Sequence, residues 1–111
     1  MNESSNTNLL AANLSYSEDF SNPANGTATF VLTMSTPQRA NIGDLSITLL
    51  DNNGNIVNDA STNVTHVSSD SNHIEGGDHI VINYPGHDLH GYQVIISISG
   101  YTGTATGTVP S

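Results

Sequence analysis

Asp51, Asn53, Asn55 and Asp59 crowd one short stretch of this 111-residue chain. Hard oxygen donors at alternate positions are what Ca²⁺ requires, and the calcium loop of an EF-hand opens with the same D-x-[DN]-x-[DN] spacing. That loop would place its glycine at position 56, whereas the glycine here is Gly54, and no glutamate follows at the closing distance. An EF-hand is therefore excluded. Two readings of the stretch stand. One is a calcium site on Asp51, Asn53, Asn55 and Asp59, with Asp44 in the candidate set and Asp78 a further loop carboxylate. The other, preferred, is a polar hairpin turn in which Asn and Asp bond their own backbone.

Two histidines, His87 and His90, flank Asp88-Leu89 after the Pro85-Gly86 turn. Imidazole suits Zn, Cu or Ni, and a neighbouring carboxylate can orient the ring, so His87 and His90 form a candidate transition-metal pair. A solvated loop with incidental histidines accounts for the same residues. Tyr101, in a glycine-flanked turn, is the candidate exposed aromatic for stacking on a ligand, whereas Tyr84 and Tyr92 fall in phase with core positions. The chain has neither G-x-S-x-G nor HExxH. A hydrolase needs a positioned nucleophile and base, and abundance of Ser and His does not build one. The sequence reads as non-catalytic.

The elements that must position these residues are strands. Gly43 to Val57 reads GDLSITLLDNNGNIV. Leu45, Ile47 and Leu49 alternate with Ser46 and Thr48, the period of a strand with one buried and one wet face. Asn53-Gly54 is a hairpin signal of the type I′ kind, and Asn55 to Val57 is the expected short return strand. Thr27 to Ser35, Ile80 to Tyr84 and Gly91 to Ser99 show the same alternation, with Phe30, Ile82, Val94, Ile96 and Ile98 among the inward set. Leu9 to Tyr16 is a weaker first strand, Thr104 to Val109 a weak last one. Asn22-Pro23 and Asn25-Gly26 mark Glu18 to Gly26 as a turn region. Gln38 to Gly43 and Ser69 to Asp78 read as loops, and Val67 falls off the inner face of its strand. Strands of this length and spacing predict an all-β, antiparallel β-sandwich, jelly-roll-like, of seven to eight strands. Residues 1–8 are expected to be a flexible N-terminal segment and 9–111 one domain.

Ten Asp and Glu face one Arg, Arg39, and no Lys, for a net charge of −9. Nucleic acid is excluded as a partner, because phosphate neutralisation needs Lys and Arg. No apolar run reaches the ~18 residues of a membrane span, so no membrane insertion is expected. There is no cysteine, and a chain of this size buries enough surface without disulfides.

Three segments carry a family likeness. Gly26 to Leu32 fits a "G-x-x-x-F" strand. Asp44 to Val57 fits "D-L-D-L-x-L-x-D-x-x-G-x-x-V", with Ser46 where a second Asp often stands. Gly91 to Gly103 fits a closing "G-x-Y-x-V-x-V-x-G-Y-x-G". Together, in this order, they resemble the pre-peptidase C-terminal-like domains and related jelly-roll domains appended to secreted subtilases and metallopeptidases. The resemblance implies a non-catalytic accessory domain, extracellular or at the cell surface, calcium-stabilised in some members. Its implied partners are the other domains of a parent protein or an extracellular polymer. The alternative is a self-associating structural domain of an adhesin, appendage or virion, whose partners are neighbouring copies.

Overall fold

A computed structural model describes residues 8–35 and 39–111. Most of residues 1–8, expected to be a flexible segment, and the Thr36-Pro37 strand stop lie outside the described residues. The elements run in order β1 (Asn8–Leu9), β2 (Ala12–Asn22), β3 (Thr27–Met34), β4 (Arg39–Asn41), β5 (Leu45–Leu50), β6 (Asn63–Val67), β7 (His73–Glu75), β8 (His79–Asn83), β9 (Gln93–Ile98), β10 (Tyr101–Thr102) and β11 (Ala105–Thr108). Short 3₁₀ turns at Pro23–Asn25 and Ile42–Asp44 complete the list. Among the described residues no helix is long and apolar enough to cross a membrane.

The fold class is the expected one: all-β, with antiparallel sheets facing one another. A four-stranded sheet has the order β2-β3-β8-β6 and a three-stranded sheet the order β11-β9-β5. Their inner faces interdigitate in one core. Ala28, Phe30, Ile80 and Ile82 come from the first sheet, and Leu49, Val94, Ile96 and Ile98 from the second. Each large apolar side chain so buried stabilises by about 1.5–3 kcal/mol relative to exposure. The sheets approach closely at β11. A Cβ on Gly107 would stand 2.5 Å from the Phe30 ring and 3.0 Å from Leu14 Cβ. Glycine is there because nothing larger fits between the layers.

The strand count differs from the seven to eight expected. Seven strands have four or more residues: β2, β3, β5, β6, β8, β9 and β11. Four short ones make two extra ribbons, β4 antiparallel to β7 and β1 parallel to β10. β4 and β7 lie in the stretches read as loops. Each has three residues with one buried apolar side chain, Ala40 and Ile74, so neither shows a period.

A second correction concerns Glu18 to Asn22, read as part of a turn. The chain stays extended in β2, and Glu18 to Ser21 bulge opposite Ala28 alone, between the Ser17–Thr29 and Asn22–Thr27 pairs. The bulge folds onto the outer side of β3. The Thr29 amide donates to Ser21 Oγ at 2.8 Å, and Thr29 Oγ1 donates to the Phe20 carbonyl at 2.9 Å. Thr29, in phase with the wet face, is thereby buried.

Candidate binding surface

The 51–55 turn is built by its own aspartate. Asp51 Oδ1 accepts the amides of Asn53 at 2.8 Å and Asn55 at 3.0 Å. The Gly54 amide donates to the Asp51 carbonyl, and the Asp51 amide to the Asn55 carbonyl. Gly54 has φ 83°, and no non-glycine residue described has a positive φ. A type I′ turn would need Asn53 there too. The loop is instead a three-residue turn ending in a left-handed glycine, which also closes hairpins. The return is one bridge, Leu50 to Ile56, with Ile56 exposed, rather than a strand over Asn55 to Val57. The side chains of Asn53 and Asn55 are exposed.

Asp59 is likewise engaged. Its Oδ1 accepts the Ser61 amide and hydroxyl, and its Oδ2 accepts the Tyr84 hydroxyl at 2.8 Å. The Ser61 amide, then its hydroxyl, then Tyr84 hold the Asp59 carboxyl below its ordinary value. The bond to Asp59, then burial, pushes the Tyr84 phenol up. Asp44 sits in the 3₁₀ turn before β5, while Asp51 follows its far end. Six strand residues separate them, roughly 20 Å at about 3.3 Å per residue. The structure does not bring Asp44 to the 51–59 carboxylates.

His87 and His90 take different partners. The His87 ring stacks on Tyr84 with centroids 3.7 Å apart and planes 10° from parallel, and its Nδ1 lies 3.2 Å from the Pro85 carbonyl. His90 pairs with Asp88 through both its ring and its amide. Those contacts, the amide first, depress the Asp88 carboxyl. Between the two, Leu89 is fully buried and its amide donates to the Pro23 carbonyl. Tyr101, expected to be exposed, is half-buried against the core, since pairing of β10 with β1 lays it on the sandwich.

His73 and His66 also hold loops. His73 Nδ1 lies 2.9 Å from Asp70, which also pairs with Arg39, and Arg39 Nε reaches Glu75 at 3.4 Å. The Asn72 amide, then His73, lowers the Asp70 carboxyl. His66 Nε2 lies 2.8 Å from Asp78 Oδ2, with both side chains buried, and the same oxygen accepts the Glu75 amide. Among the described residues no three His, Cys, Asp or Glu side chains group so as to hold a metal ion.

One surface is not consumed in this way: the outer face of the four-stranded sheet. Val31, His79 and Val67 stand in one row across β3, β8 and β6, with Val81 in the next row on β8. Their neighbours Phe30, Ile80 and Ile82 point into the core, so these four point out. The bulge lays Phe20 over the row, its ring 5.7 Å from that of His79. Phe20 is 64% exposed and Val67 51%. Beside them a hollow of ≈ 450 Å³ lies between Val67–Ser69 and Glu75–His79. In the sequence the signal was the apolar residues out of phase, Val31, Val67 and Val81. Phe20 was hidden in a segment whose turn dipeptides dominate it.

No family model matches the chain, and neither the curated proteins nor the solved structures searched gave a match.

Proposed function

We propose that this chain is a non-catalytic accessory domain that works outside the cell or at its surface, giving a larger secreted protein a means of binding or stabilisation. The likeness to pre-peptidase C-terminal-like domains supports the reading. The observation that carries it is the outer face of the four-stranded sheet. An aromatic ring is held out on a backbone bulge over valines, while Asp78 and His66 nearby are spent on each other and on the β7–β8 turn. A bulge re-aims side chains at the cost of ladder bonds, and an exposed apolar patch on a small domain marks an interaction surface. Depletion from solution by insoluble collagen, chitin and peptidoglycan tests it. The reading expects at least one polymer to retain the domain and Phe20→Ser to release it. Retention that ignores Phe20, or no retention by any polymer, contradicts it.

A second reading, self-association, has its own observation. β1 is two residues paired in parallel with β10. So short a pair is weakly held, and an arm of this kind exchanges between copies. Light scattering of the full chain and of a chain lacking residues 1–9 tests it. Removal to residue 9 leaves β2 intact. A dimer that reverts to monomer on truncation supports exchange; a monomer in both forms removes it.

A further inference from the structure

We propose that the outer face of the four-stranded sheet binds an extended polypeptide segment carrying lysine or arginine. Its apolar side chain would sit on Phe20 and Val67, and its cation beside Glu75. The proposal deepens the accessory-domain reading and rests on it. Three observations point the same way. First, β6 is an edge of its sheet among the described residues, and Val67 ends it. An edge strand offers unpaired N–H and C=O groups, which an extended peptide matches, with alternate side chains reaching the sheet face. Second, the hollow continues from Val67 along Ser68 and Ser69 to Glu75 and Gly77, so the next side chain on the same face, two residues beyond the apolar anchor, has room. Third, the charge is one-sided. Glu18 and Asp19, both exposed, precede Phe20 on the bulge, and Glu75 lines the hollow. Arg39, the sole Lys or Arg of the chain, is engaged by Asp70 and Glu75. A second copy docking on this face brings the same net charge of −9 and is repelled there, as is any phosphate-bearing surface. A cationic segment is steered in and held.

The test is an amide NMR titration of the full chain with the blocked octapeptide Thr-Val-Thr-Lys-Thr-Val-Thr-Lys, whose valines and lysines share one face when extended, beside its valine–glutamate twin. The expected result is that the lysine peptide shifts Phe20, Thr65 to Ser69 and Gly76 to His79, and binds more weakly as salt rises from about 20 mM to about 0.3 M, where screening shortens. The double variant Phe20→Ser/Val67→Thr, with an unchanged melting temperature, should bind about tenfold more weakly. Shifts spread evenly over the Asp44, Asp59 and Asp88 loops, or equal binding by the double variant, would overturn the proposal in favour of general charge attraction. Concentration-dependent shifts without peptide would overturn it in favour of a second copy. Equal binding of the glutamate twin at this face would overturn the cation assignment while leaving the accessory-domain reading intact. Failure of that reading shows separately, as loss of Phe20-dependent retention on every polymer.

Discussion

The same pair of side chains, a histidine on an aspartate, recurs in this molecule, and two of its instances have opposite surroundings. His66 and Asp78 are 7% and 6% exposed; His90 and Asp88 are 45% and 66% exposed. At the first, Asp78 ties β6 to the β7–β8 turn through one oxygen, and its own carbonyl accepts the Leu32 amide from β3. At the second, the pair folds back on three consecutive residues and links nothing else. A buried polar group left without its partner is costly, whereas an exposed ion pair contributes little over its solvated alternative. Identical chemistry therefore has a different role according to what the strands do around it.

The largest expected effect breaks the buried pair. Asp78→Ala strands the His66 ring and the Glu75 amide, and should lower unfolding free energy by about 3–5 kcal/mol in urea denaturation. The loop of the exposed pair is held elsewhere, by Leu89. Leu89→Ala should cost about 3 kcal/mol through the cavity it leaves, and His90 should still meet Asp88. Tyr84→Phe removes the hydroxyl bond to Asp59 and should cost about 1 kcal/mol. Asp88→Ala should fall within about 0.5 kcal/mol of the parent. A cost comparable to Asp78→Ala would show that burial is not what separates the two pairs.

Titration sharpens the contrast further. Asp59, Asp70 and Asp88 all ionise more readily in the fold than their ordinary values. Their contributions are present above the unfolded value of about 4 and lost as pH falls through the lowered folded values. Tyr84 is raised, so its contribution is present below about pH 10 and lost as pH rises through the higher folded value. Melting temperature against pH should therefore fall at both ends, and Tyr84→Phe should flatten the alkaline side. Calcium gives the smallest effect. Asp51 and Asp59 already accept bonds from their own turns, so millimolar Ca²⁺ and EDTA should leave the melting temperature unchanged. A rise in calcium and a fall in EDTA would restore the 51–59 stretch as a metal site.

Strands with a sustained apolar alternation were legible in the sequence. β3, β5, β8 and β9 fall where the alternation puts them, and Phe30, Ile82, Val94 and Ile96 are in the core. What stayed hidden depends on partners far along the chain. β4 and β7 exist because Arg39–Asn41 meets His73–Glu75, and neither segment announces that meeting. The Asp51 turn was legible as a hairpin, but its type was not, because the carboxylate holding Asn53 and Asn55 is invisible to a dipeptide rule. The candidate ligands were read from local spacing. The strand read over Leu45 to Leu49 already parts Asp44 from Asp51, but spacing does not tell that His87 turns to Tyr84 while His90 turns to Asp88. Phe20 reached the surface through a bulge, which no alternation predicts.

On the proposed reading Asp51, Asp59, Asp70, Asp78 and Asp88 hold turns, while Phe20 is left for a partner. Urea denaturation of Phe20→Ser beside Asp78→Ala tests it most directly. Phe20→Ser should unfold within about 0.5 kcal/mol of the parent, against about 3–5 kcal/mol lost in Asp78→Ala. Equal losses in the two variants would make Phe20 part of the packing and contradict the account.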